Sequence, residues 1–173
     1  MILQKGKEDL VEFNLLETIV FVLFIVNLVV LTIYDFRYKA VPDYLLLFAF
    51  LSSFYISKLN IYEALQSAFI VAGAFVILNF LLTFYIQNIK SRLLKDESLR
   101  EKTALGEGDI PLIASFGVVL GVYNTFIAIF LAAVTTIFYI VFKKAMKSKD
   151  IEPEIPYIPI LSFVFLWEYF INL

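Results

Sequence analysis

Apolar residues run along this chain in long blocks, and polar residues gather in short clusters between them. Crossing about 30 Å of hydrocarbon takes about 20 helical residues, because each residue advances about 1.5 Å. Leu15 to Tyr34 is one such block, and it is too long and wrongly flanked for a cleaved signal peptide. Residues 44–56 form a shorter block, and 61–86 the longest, with Gln66, Asn79 and Thr83 as polar interruptions. Residues 110–122 open with Pro111 close to the start and carry Gly117 and Gly121 one helical turn apart; 124–142 and 157–173 complete the pattern. The expectation is a single-domain, all-α integral membrane protein, a bundle of about six transmembrane helices.

Composition strengthens that picture. Of 173 residues, 61% are hydrophobic and only 17% charged, where a soluble domain is nearer half apolar and a quarter charged. The 19 Phe and 10 Tyr suit membrane interiors and interfaces. Charge then orients the bundle. The loops at 35–43, 88–109 and 143–154 hold 11 of the 14 basic residues, whereas Lys5, Lys7 and Lys58 lie on the other side. The positive-inside rule places those three loops in the cytoplasm and both termini outside, in a multi-pass protein of the plasma membrane. Residues 91–101 combine mixed charge with Leu93, Leu94 and Leu99, the pattern of a short amphipathic helix at the membrane surface or of a solvated linker.

The chain has no Cys and no His, which excludes thiol nucleophiles, Cys zinc sites, His-ligated metals and a Ser-His-Asp triad. Any hydrolytic chemistry therefore rests on carboxylates, Lys, Ser, Thr or Tyr. Asp35 stands where the first block meets the cytoplasm, and Asp109 where the fourth begins. An ionisable side chain at membrane depth is costly and is a functional candidate by default, although each Asp also suits a helix end, Asp109 as an N-cap before Pro111. Gly106-Glu107-Gly108 precedes Asp109; glycine there admits positive φ or lets another backbone, such as an extended substrate, approach, or else makes a plain turn. Pro42 pushes Val41 toward extended geometry before the second helix. Two carboxyls at helix ends on one side of a membrane can share a proton. The charged one can then deprotonate an attacking water while the neutral one donates to the carbonyl oxygen.

Asp35 followed by Pro42-Asp43, together with Gly106-Glu107-Gly108-Asp109 and Ile110-Pro111-Leu112, resembles the two motifs of type IV prepilin peptidases. The resemblance covers most of the chain in layout and is specific at these two segments. It implies an aspartic endopeptidase of the GxGD type, with Asp35 and Asp109 as the catalytic pair and no metal or cofactor. The implied substrates are prepilins, preflagellins or related proteins with a basic leader before an apolar segment, and no nucleic acid is involved. Pro42, Asp43, Gly106, Glu107 and Gly108 are the candidate substrate-binding residues, Asp43 and Glu107 being otherwise surface charges. The absence of the Cys-rich segment of larger bacterial members speaks against methyl transfer and likens the chain to compact, peptidase-only members typical of archaea. Presenilin-type proteases share the dyad, but here Glu154-Ile155-Pro156-Tyr157-Ile158-Pro159 stands in place of their Pro-Ala-Leu segment, either lining the site or turning the chain into the last helix. Asn27 and Asn79 are expected to bond between helices, Gly117 and Gly121 to let a neighbouring helix pack closely, and Glu17 and Glu168 to sit at the outer interface. The competing function is a small transporter or channel, since short Pro- and Gly-interrupted spans with embedded acids also mark ion pathways.

Overall fold

The structure, a computed structural model, describes residues 15–94, 97, 100, 106, 108–145 and 157–172. It is all-helical over these residues. The elements are α1 (Leu15–Tyr38), α2 (Asp43–Ile56), α3 (Ile61–Phe84), a π-helical turn (Tyr85–Lys90), α4 (Ser91–Leu94), α5 (Asp109–Ala145) and α6 (Ile158–Ile171). By length and composition, three helical stretches could cross a membrane: Leu16–Tyr38, Ile61–Leu93 and Asp109–Phe142. Asp43–Ile56 and Ile158–Ile171 are shorter apolar helices.

Several boundaries differ from expectation for local reasons. The first helix runs on to Tyr38, so Asp35 lies in its last turn rather than in a loop. Lys39 stops it by taking a left-handed φ of 53°, while its N–H still bonds the Asp35 carbonyl at 3.1 Å. Asn60 starts α3 by accepting from the Glu63 N–H at 2.9 Å, a side-chain cap of the ordinary kind. Of the amphipathic helix expected over 91–101, Ser91–Leu94 is helical, and most of the remainder lies outside the described residues.

The long α5 is two helices. Gly121 adopts φ 77° and ψ 173°, values that no helix interior tolerates and that glycine alone reaches cheaply. Thr125 Oγ1 donates to the Phe116 carbonyl at 3.2 Å and to the Gly121 carbonyl at 2.6 Å. In an unbroken helix, residues 116 and 125 would stand about 13 Å apart along the axis, so the chain bends sharply here. The Val118 carbonyl, one turn before the bend, accepts from Ser57 Oγ in the α2–α3 turn at 2.6 Å. We call the two parts α5a (109–120) and α5b (122–145).

α5a is the centre of the packing: Leu112, Ile113, Ala114, Ser115, Phe116, Gly117 and Val118 are buried in succession. Lipid tails are as apolar as these side chains, so close fit rather than escape from water holds such helices together. Gly117 provides the fit on one side, since a methyl group there would stand 3.1 Å from the Ser67 carbonyl oxygen and 3.3 Å from the Ala68 Cα. On the other side Phe116 stacks on Phe165 of α6 with ring centroids 4.1 Å apart, and Phe24 of α1 meets the same ring at 5.7 Å. Asn27 Nδ2 donates across to the Leu45 carbonyl of α2 at 3.0 Å, the interhelical bond expected of it. Glu168 is buried at 7% exposure, and Asn172 at the end of α6 folds back to donate to its carboxylate at 3.0 Å.

Candidate active site

Asp109 is the first residue of α5a and is 6% exposed. A tight turn leads into it: the Asp109 N–H bonds the Gly106 carbonyl at 3.2 Å, and the Gly106 backbone in turn donates to the Asp109 carboxyl. A methyl group on Gly106 would lie 3.4 Å from Asp109 Oδ2, so the missing side chain keeps that oxygen uncovered. Gly108 packs toward α2, where an added methyl would meet Leu46 Cδ1 at 3.5 Å and Val41 Cβ at 3.9 Å, ordinary contacts. Neither glycine has positive φ; among the described residues that conformation belongs to Gly121 and Lys39. The glycines before Asp109 therefore give closeness, not unusual dihedrals. Gly121, expected to serve packing, instead provides the bend.

Asp35 reaches the same place from α1. Its Oδ2 accepts the backbone N–H of Ile158, the first residue of α6, at 3.2 Å, and the Tyr157 backbone N–H also donates to this carboxyl. The exposed N–H groups at a helix start carry partial positive charge, so Asp35 acts as a cap supplied by another helix. The two acids are close enough to act on each other electrostatically, and the Lys39 ammonium acts on Asp35 from the turn that ends α1. Tyr157 completes this surrounding. Its side chain is partly buried and packs against the main core.

The other sequence candidates are arranged less tightly. Pro42 caps α2 in extended conformation, its carbonyl accepting from the Leu45 and Leu46 N–H groups at 3.1 and 3.4 Å. Asp43 is the exposed first residue of α2, where an acid suits the positive helix end. Glu107 lies outside the described residues, as do 151–156 of the segment leading into α6. Of that segment Tyr157 and Ile158 bond the Asp35 carboxyl through their backbone, so it both lines the site and turns the chain into the last helix, the two alternatives read from the sequence.

Two acids from separate helices, meeting at a glycine turn, make a layout that comparison with known families can name. A model of the type IV leader peptidase family matches residues 22–141. The chain belongs to the type IV leader peptidase family. Membership makes it a protease of a family with aspartic-type members, acting on prepilin-like proteins, and together with the apolar helices it indicates a multi-pass membrane protein. That favours peptidase over transporter. The match spans both Asp35 and Asp109 and ends before α6. Comparison with curated proteins and with solved structures gives no significant match.

Proposed function

We propose that the chain is a membrane aspartic endopeptidase that removes the leader of prepilin- or preflagellin-like proteins at the cytoplasmic face, with Asp35 and Asp109 as the catalytic pair. The observation that carries this reading is the meeting of the two acids, 74 positions apart in sequence, within electrostatic reach at the ends of α1 and α5a. Two facing carboxyls in a partly dry site hold one proton between them and titrate as a unit. The ionised member takes a proton from water as its oxygen attacks the scissile carbonyl carbon. The neutral member gives its proton to the carbonyl oxygen. Collapse of the tetrahedral intermediate returns that proton to the pair, delivers one to the departing nitrogen and breaks the C–N bond, leaving acid and amine products. No other nucleophile is needed.

The basic loops at 35–43, 88–109 and 143–154 support a cytoplasmic site, with α5a and α5b counted as separate crossings in a bundle of about six. A substrate with Lys or Arg before its apolar segment then lies with the basic part toward Asp43 and Glu107, the apolar part in lipid and the boundary peptide bond at the pair. Pro42, Gly106 and Gly108 flank that bond. The test is cleavage of a synthetic prepilin-like peptide by detergent-purified protein. Native protein is expected to cleave it, and Asp35→Asn and Asp109→Asn each to lose at least about 10³-fold in kcat, the scale of removing a catalytic acid or base. Near-native turnover by either variant overturns the assignment.

A further inference from the structure

Three tyrosines gather at the end of α1, which bears Asp35, and the start of α2, outside the packed core. Tyr34 and Tyr38 stand one turn apart on α1, their ring centroids 5.5 Å from each other. Tyr44 lies in the first turn of α2 next to Asp43, and its hydroxyl interacts with that of Tyr34 across the two helices. Tyr38 and Tyr44 are 59% and 65% exposed, and Asp43 is exposed beside them. Residues three apart on a helix are neighbours on its surface, so Tyr38 adjoins Asp35. The Arg37 guanidinium lies over the Tyr38 ring, 5.6 Å from its centroid. This ring face therefore already holds a cation, as the electron-rich faces of aromatic rings do within about 6 Å.

We propose that Tyr34, Tyr38 and Tyr44 form an aromatic platform for the Lys and Arg side chains of the substrate leader, and that Arg37 occupies it until the leader arrives. This rests on the proposed cleavage of a basic leader beside Asp35 and Asp109, and it names the side chains that recognise that leader. Charge complementarity selects the occupant. Ring faces and the Asp43 carboxylate together suit a cation, and they lie on the same stretch of surface as Asp35. Tyrosines at a membrane interface also anchor helices among the headgroups, a role that each ring fills singly. Here the rings engage one another and a guanidinium, and they reach from the acid that ends α1 to the acid that begins α2.

Arg37 suits a placeholder. An exposed cation–π contact is weak, so the guanidinium leaves Tyr38 for water at small cost. A leader cation that replaces it keeps the ring face occupied, and the peptide bond beyond the basic stretch is then carried toward Asp35.

The experiment uses the detergent-purified full chain and two prepilin-like peptides, one with a Lys leader and one with those Lys replaced by Gln. It measures kcat and KM for each, and binding of versions whose scissile bond is made uncleavable. Native protein is expected to prefer the Lys leader. Tyr38→Leu and Tyr44→Leu should each shrink that preference about two- to fivefold, the scale of an exposed cation–π contact, through KM and with native melting temperature. Tyr38→Phe and Tyr44→Phe keep a ring face and should keep the preference. Arg37→Gln should raise the preference about twofold by freeing the ring, and the rise should vanish in the Tyr38→Leu background. An unchanged preference in both Leu variants overturns the platform, and so do Phe variants that lose as much as Leu. Equal weakening of Lys and Gln leaders overturns it too, and makes the tyrosines membrane anchors. An Arg37→Gln gain that persists without the Tyr38 ring shows plain charge repulsion and overturns the placeholder. Asp35→Asn and Asp109→Asn, measured alongside, keep the claims apart. Cleavage that survives either removes the catalytic pair, while the binding ratio of the uncleavable Lys and Gln leaders still decides the platform.

Discussion

The two acids are held by opposite means. Asp109 begins the most deeply packed helix of the bundle and is fastened within its own turn, to the Gly106 backbone. Asp35 ends a helix whose outer face is largely exposed, and its carboxyl is fastened to α6, 123 residues further along the chain. One acid therefore moves only if the core moves. The other is positioned by the two backbone N–H groups at the start of α6, which a bound peptide could loosen or tighten at small cost. The difference teaches that alignment of the pair is governed from α6 and the end of α1, while α5a serves as the fixed reference.

The largest effect that would sharpen this contrast concerns the turn before Asp109. A methyl at either glycine would make ordinary contacts, but the one at Gly106 would face Asp109 Oδ2 at 3.4 Å, whereas the one at Gly108 would face Leu46 Cδ1 at 3.5 Å and Val41 Cβ at 3.9 Å. If Asp109 belongs to the proposed pair, Gly106→Ala is expected to lower kcat/KM on the order of 10-fold by covering one of its oxygens, with Gly108→Ala within about twofold. Peptide cleavage by the two variants, alongside their melting temperatures, checks it. Equal losses would mean that the turn, not the oxygen, is what matters.

A smaller effect separates the fastenings themselves. Asn at either position relieves the same mutual repulsion, so the difference between the two variants reports what else each carboxylate does. Asp35→Asn also gives up a charged cap on α6, worth about 1 kcal/mol, and Asp109→Asn gives up less because its site is drier. The Asp109 variant should therefore be the more stable of the two by about 1 kcal/mol in detergent unfolding. Identical stabilities would show that the α6 cap contributes nothing.

The smallest effect is at Lys39. Its left-handed φ favours glycine, so Lys39→Gly should relieve strain of about 0.5–1 kcal/mol. The lost ammonium acts on Asp35, so cleavage is expected to fall about two- to threefold even as the melting temperature rises. A variant that gains stability without losing rate would mean that Lys39 is a turn residue and nothing more.

Much of this was legible in the chain itself, and the reasons are local. Helix starts at 43, 61 and 109 follow from polar or proline breaks in apolar runs, and both acids stand at such breaks. What was hidden depends on contacts across the sequence. Nothing near Tyr157 announces that its N–H meets Asp35. Gly106, Gly108, Gly117 and Gly121 look alike as letters, yet one spares a carboxyl, one admits α3, one bends the chain and one merely packs. Which glycine does which depends on neighbours from other helices. The burial of Glu168 was hidden for the same reason, since its partner Asn172 could equally have faced solvent.

The helices that start at the site are short. α2 and α6 have 14 residues each and α5a about the same, roughly 20 Å where hydrocarbon is about 30 Å thick. On the far side of α5a, α3 alone has 24 residues before the π-helical turn. The bundle thus presents a wall of uneven height, low along α2 and α6 and tall along α3 and along α1, which bears Asp35. In a bilayer, acyl chains beside the short helices would compress or tilt, at a fraction of a kcal/mol per ångström, and would draw headgroups with their water down toward the proposed pair. A bilayer of longer chains opposes that dip and one of shorter chains favours it. The lipid's own stiffness thereby joins the protein in setting how easily water arrives.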